Sequence, residues 1–130
     1  MSAFIGKFKA ISSSNLVAHY KECGMSDDEA HRMASLTWTL EFSKKDTIYT
    51  IKAFQGHSVV VNQFQLGKEI DCNHYDGPTT KAVMVLDDNK LVVTFGDKKG
   101  ARSVYEMVGN ELRVTTTMGP VVSVITYARQ

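Results

Sequence analysis

Four histidines (His19, His31, His57, His74), two cysteines (Cys23, Cys72) and the acidic run Asp27-Asp28-Glu29 are the side chains with the most obvious chemistry to offer. The histidines lack the close spacing that gathers imidazoles around a metal, so no metal site is expected. Two cysteines this far apart make no disulfide framework. A reactive cysteine needs a neighbouring His or Lys to hold its thiolate; read along the chain neither has one, and both are expected to be inert, buried thiols. No serine sits in a nucleophile-elbow pattern. The acidic run follows Ser26 at capping-box spacing, so it reads as a helix start rather than a carboxylate pair for acid–base work. No catalysis and no cofactor are expected. What remains is binding, carried by apolar side chains.

Two kinds of element must position such a binding surface. Residues Asn15 to Ser35 read as two short helices with a tight link. Asn15 is placed to cap the first, and Leu16, Tyr20 and Cys23 fall on one face of it. Gly24 stands where a helix stops in the left-handed conformation. Ser26 and Glu29 then open the second helix, with Met25 and Ala30 placed as a hydrophobic staple. Helices of about two turns are marginal alone, so their apolar sides need another surface.

That surface is β-sheet. Phe4, Phe8 and Ala10 fit one face of an opening strand, closed by the turn-prone Ser12-Ser13-Ser14. From Thr37 onward, turn signals recur about every ten residues between runs rich in Val, Ile, Thr, Tyr and Phe. Connections this short join antiparallel neighbours, which predicts about ten strands in up-and-down order, closed on themselves. Asn62 beside Val60 and Phe64, Thr116 beside Val114 and Ser123 beside Ile125 put polar groups on the face turned inward. They fit a partly wet interior, or ladder hydrogen bonds, or a one-residue slip of register. The architecture is all-β, a ten-stranded antiparallel up-and-down barrel capped by a helix-turn-helix.

Bulk properties narrow the class further. The 130 residues make a single domain, 1–130, large enough for a substantial core. Fifteen basic residues against fourteen acidic leave a charge of +1, which gives no electrostatic case for nucleic acid. Met1 to Lys7 lacks the apolar core of a signal peptide, and no apolar run approaches a membrane span. A soluble, reduced, cytoplasmic protein is expected.

The chain resembles the intracellular lipid-binding proteins, the family of fatty-acid-binding and cellular retinoid-binding proteins, essentially end to end. The residues that carry the resemblance are Phe4-Ile5-Gly6-Lys7-Phe8-Lys9, then Asn15-Leu16, Tyr20 and Cys23-Gly24-Met25. Phe64-Gln65-Leu66-Gly67-Lys68-Glu69-Ile70-Asp71, Asp76-Gly77 with Lys81, and Asn89-Lys90-Leu91 follow at the family's spacing. The resemblance implies a lipocalin-like (calycin) barrel, splayed between its fourth and fifth strands near Gly67. It also implies a helix pair over a portal, a cavity for a small hydrophobic ligand, and neither catalysis nor cofactor.

The departures bear on the ligand. The family's fatty-acid binders hold a carboxylate with two arginines and a tyrosine. Here Tyr127 matches the tyrosine, while Ile125 and Tyr105 stand at the two arginine positions. An interior carboxylate with no cation is costly to desolvate, so neutral or weakly polar lipids are expected, or fatty acids with the carboxylate toward the portal. The cavity wall is expected to include Tyr127, Tyr105, Ile125, Thr116, Val114, Phe95, Val93, Met84, Asn62, Ala53 and Leu40. Trp38, Tyr20 and Leu16 are expected to contact the ligand beneath the lid, with ordinary packing under the helices as the alternative for Trp38, and His74 would point inward as a polar anchor. Met25, Met33, His57 and Tyr75 would frame the portal. A monomer is expected, with weak membrane contact, since Lys21 and Arg32 are offset by Glu22, Asp27, Asp28 and Glu29. The competing reading is an interaction or structural module on the same barrel that carries no ligand.

Overall fold

The computed structural model describes residues 2–74, 79–96 and 100–130. A 3-10 turn at Ser2–Phe4 leads into β1 (Gly6–Ser14), followed by α1 (Leu16–Glu22) and α2 (Asp27–Ala34). Nine strands follow: β2 (Thr39–Lys45), β3 (Ile48–Gln55), β4 (Ser58–Phe64), β5 (Glu69–Cys72) and β6 (Thr80–Asp87), then β7 (Lys90–Phe95), β8 (Arg102–Val108), β9 (Glu111–Met118) and β10 (Val121–Arg129). All paired neighbours are antiparallel, in the order β4-β3-β2-β1-β10-β9-β8-β7-β6-β5. Every strand therefore has two ladder partners except β4 and β5, which end the order and face each other across a seam. The β3–β4, β8–β9 and β9–β10 turns are tight, and the left-handed backbone at Gly56, Gly109 and Gly119 suits residues without a Cβ.

Ladder register fixes which side chains face in. Met84, Val93, Ser103, Thr116 and Ser123 stand opposite one another across β6 to β10. Leu91, Tyr105, Val114 and Ile125 form the next row across β7 to β10, and Phe8, Leu40, Ala53 and Val60 continue the wall through β1 to β4. The base is solid. Phe4, Phe8 and Phe42 meet there, Phe4 stacked on Phe42 at 6.0 Å and Phe8 edge-on to it at 6.1 Å. Arg129 spans the two chain ends: its guanidinium lies over the Phe8 ring, 4.7 Å from the centroid, and donates to the carbonyls of Ile5 and Ala3.

Local expectations met the structure with mixed results. Ser26 caps α2, its Oγ accepting from the Glu29 N–H at 3.2 Å. Asn15 does not cap α1 through its side chain; it adopts left-handed backbone (φ 64) and donates Nδ2–H to the Val122 carbonyl, tying α1 to β10. Ser12 to Ser14 are not a turn. β1 runs through them, with a register shift between Ala10 and Ser12 after which Ser13 and Ser14 pair with Ile125 and Val124. Pairing with β10 overrides the local turn preference of the serines.

Candidate functional site

The inward face supplies the site. Leu40, Met84, Val93, Val114 and Tyr127 are buried in the wall. Ala53, Phe95, Tyr105, Thr116, Ile125 and Asn62 also sit on inward positions of their strands, yet each keeps accessible surface. Exposure is uneven along this face. On β3, Tyr49 and Ile51 are buried but Ala53 is partly accessible; on β7, Leu91 and Val93 are buried but Phe95 is partly accessible. A solid-core barrel would bury all of these, so their partial exposure fits interior space beside the buried wall residues.

Two phenols stand in that hollow. Tyr105 packs edge-on against Phe42 at 5.9 Å, and desolvation, with a smaller contribution from Cys72, pushes its pKa up to about 12. Tyr127 is shifted upward as well, chiefly by desolvation and then by Tyr105 and Tyr20, which places the three phenols near one another. Both hydroxyls are therefore neutral donors at physiological pH. Among the described residues, the buried side-chain nitrogen or oxygen left without a partner is Nδ1 of His19. Neither phenol makes a side-chain hydrogen bond to the protein among these residues, so both hydroxyls open onto interior space.

The direction of these shifts predicts a pH dependence. Up to about pH 9, Tyr105 is neutral in the folded and unfolded chain and pH has no leverage through it. Above pH 10 the unfolded phenol loses its proton while the folded one keeps it until about pH 12. The unfolded state is then favoured by up to about 1.4 kcal/mol per pH unit. Urea unfolding between pH 7 and 11.5 should show this decline, and a shallower one in Tyr105→Phe.

The remaining candidates divide clearly. The Thr116 hydroxyl lies 2.9 Å from the Ser103 hydroxyl, and Ser123 faces Thr116 across the β9–β10 ladder. Ser103 and Ser123, both buried, complete a row of interior hydroxyls; their alternation with Tyr105 and Ile125 is the sequence signal for Ser103. Trp38, Leu16 and Met33 are buried, and Tyr20 and Met25 are partly so, packed against the core under the helices. His57 is exposed in the β3–β4 turn. Tyr75 lies outside the described residues.

Three readings need correction. His74 does not lie on a strand but follows the end of β5 and is exposed; its ring meets Thr80 Oγ1 at 2.6 Å and lies 5.8 Å from the inward Phe95. Asn62 is not a free polar group in the interior. Its Nδ2 donates to the Asn73 carbonyl (2.9 Å) and its Oδ1 accepts from the Asn73 N–H (2.7 Å), across the seam. Cys23 is exposed, not buried, and its Sγ lies 3.7 Å from His19 Nε2, one helical turn away. Cys72 is buried as expected.

No lysine or arginine stands among the inward positions just described, so this wall offers an anionic head group hydrogen bonds without a counter-charge. Among the described residues, no three His, Cys, Asp or Glu side chains gather as a metal-binding group, and no helix is long and apolar enough to cross a membrane.

Fold and wall together define a nearly closed ten-stranded barrel of the calycin type with two short helices. The chain belongs to the lipocalin/cytosolic fatty-acid binding protein family, whose model matches residues 2–129. It is 33% identical over 120 residues to the liver fatty acid-binding protein of Sus scrofa, covering 92% of each chain. The crystal structure of the fatty acid-binding protein from brain tissue of Drosophila melanogaster superposes with a TM-score of 0.88 at 32% identity, covering 96% of this chain and 98% of that one. The Schistosoma mansoni fatty acid binding protein in complex with arachidonic acid gives 0.90 at 27% identity, covering 100% and 98%.

Proposed function

We propose that this chain is a non-enzymatic cytoplasmic carrier that encloses a small hydrophobic lipid in the barrel. Its preference is for neutral or weakly polar lipids, or for fatty acids that keep the carboxylate near the mouth. The observation that carries this reading is the inward wall itself, apolar with neutral phenols at Tyr105 and Tyr127 where a buried carboxylate would need a cation. The fatty acid-binding relatives and the arachidonic acid complex of the schistosome protein support lipid as the ligand class.

Apolar burial supplies enough affinity. Hiding some 300 Å² of an alkyl chain contributes roughly 7 kcal/mol at about 25 cal/mol per Å². Lost ligand freedom reduces this, and micromolar or somewhat tighter binding remains. A phenol donating to an ester carbonyl or an alcohol oxygen adds about 1 kcal/mol and needs no counter-charge. The partly accessible inward residues argue against a barrel filled by its own side chains and kept only as an interaction module. We place membrane contact as weak, because Lys21 is engaged with Asp27 at 3.3 Å beside an acidic first turn of α2. The working form is read as a monomer.

The test is displacement of the uncharged dye Nile red by a matched series: an 18-carbon acid, its methyl ester and the corresponding alcohol. The alcohol and ester should displace at least as well as the acid at pH 7.4. An acid tenfold or more better than both would overturn the head-group preference.

A further inference from the structure

The interior holds more hydrogen-bonding capacity than one head group uses. Ser103, Thr116 and Ser123 stand opposite one another on the inward faces of β8, β9 and β10. Ser103 and Ser123 are 6% and 3% exposed, so both lie well inside the wall. Each hydroxyl brings one O–H donor and two acceptor sites. The Ser103–Thr116 contact at 2.9 Å uses one donor of that pair, whichever residue gives it, and leaves the other proton unplaced. Ser123 Oγ has no hydrogen-bond partner among the described residues. Yet it is not sealed in: the unpartnered side-chain atom cut off from accessible space is His19 Nδ1. The Ser123 hydroxyl therefore opens onto interior space from a residue that is otherwise buried.

An O–H left unpaired in apolar surroundings is costly, so water or a ligand oxygen completes such a row. The row is distinct from the phenols. β10 runs from the helices to the base, since the Val122 carbonyl accepts from Asn15 beside α1 and Arg129 lies over the Phe8 ring. Ser123, Ile125 and Tyr127 follow one another along it at about 7 Å per step. The hydroxyl row thus lies toward the helices, one step from Tyr105 on β8 and two from Tyr127 on β10. Around it the wall is apolar: Met84 and Val93 continue the row, and Val114 and Ile125 lie in the next. With no cation among these positions, the oxygen that fits here is uncharged.

We propose that Ser103, Thr116 and Ser123 form a second polar subsite, which takes a hydroxyl or ketone oxygen carried partway along the alkyl chain of the ligand. This rests on the reading of the interior as a lipid site and narrows it to a lipid oxygenated on its chain as well as at its head.

The test is displacement of Nile red from the full chain by 1-octadecanol and by 18-carbon diols whose second hydroxyl steps along the chain. At most positions the added hydroxyl meets apolar wall, and binding should weaken about tenfold relative to octadecanol. At one position, or two adjacent ones, it should reach the row and bind at least as well as octadecanol. In Ser123→Ala that matched diol should lose about fivefold relative to octadecanol, and more in the double variant Ser103→Ala/Ser123→Ala. The Tm of Ser123→Ala should stay within about 2 °C of wild type, because the hydroxyl has no protein partner to lose. The same penalty at every position would overturn the subsite and leave the row to water. A matched diol that keeps its advantage in both variants would overturn it too, with the interior site standing. Failure of octadecanol itself to displace the dye would overturn the interior reading and the subsite with it.

Discussion

Ile125→Arg should raise the affinity for an 18-carbon fatty acid by about 10- to 100-fold while leaving the matching alcohol unchanged or weaker. Ile125 faces inward on β10, opposite Val114, and keeps accessible surface, so a guanidinium there would reach the hollow from a position the interior already exposes. A charge-assisted, bidentate pair with a carboxylate contributes roughly 1.5–3 kcal/mol over a neutral contact, which is the stated factor in affinity. Without ligand the same guanidinium stands in a poorly solvated space with no counter-charge. That costs the unliganded protein about 2 kcal/mol, since partial access to solvent moderates the penalty of a fully buried ion. At roughly 2.1 cal/mol/K per residue, the cost appears as a fall in Tm of about 7 °C. Fatty acid should recover most of it, and the alcohol should not. Ile125→Met, similar in volume and uncharged, is expected to leave both affinities within a factor of two or so. Isothermal titration and thermal scans of the three proteins check this; an unchanged acid affinity in Ile125→Arg would mean that the head group never approaches β10.

The largest loss of stability is expected from Phe8→Ala. Phe8 has 0% of its surface exposed and stands where three supports converge: the edge-on Phe42 ring, the Arg129 guanidinium over its face, and the β1 ladders to β2 and β10. Removing a buried phenyl ring costs about 3–5 kcal/mol through lost transfer energy and the void left behind. For 130 residues this corresponds to a fall in Tm of roughly 10–20 °C. The loss is mechanical as well as apolar, because Arg129 joins the first turn of the chain to the last strand only while the ring supports its plane. Gly6 belongs to the same joint: its φ of 135 is strained for any residue with a Cβ, and a Cβ there would lie 2.7 Å from Arg129 Nη1 and push the guanidinium aside. The hollow lies away from this base. Dye binding by Phe8→Ala at low temperature is therefore expected to stay within a few fold of wild type, and its loss would show that base and hollow are one space.

Where local chemistry decides, the sequence was legible. Turn residues at regular spacing marked the strand ends, and the family resemblance placed Tyr105, Ile125 and Tyr127, with Leu40, Ala53, Val93 and Val114, on the cavity wall, where the ladder register puts them on inward positions. The helix pair could be read because Ser26 and Glu29 form a cap within four residues. Misreadings arose where a partner lies far along the chain. The Asn15 amide bonds a carbonyl 107 residues away, and Asn62 answers Asn73 across a seam that exists only once the barrel closes. Serine 12 to 14 looked like a turn because local preference was weighed without β10. The His19–Cys23 contact is a different case. Its i, i+4 spacing was open to view, and it was missed by looking only at adjacent residues.

The missing arginines, the neutral phenols and the partial exposure of inward side chains such as Ala53, Phe95 and Ile125 lead to one claim: the barrel is hollow and its hollow receives an uncharged or weakly polar lipid. A crystal structure of the protein with an 18-carbon alcohol tests it most directly. The expected result is one elongated density inside the barrel, along Ala53, Val114 and Ile125, with its oxygen within hydrogen-bonding distance of Tyr105 or Tyr127. An interior occupied by the protein's own side chains, with the alcohol found only on the outer surface, would contradict the claim.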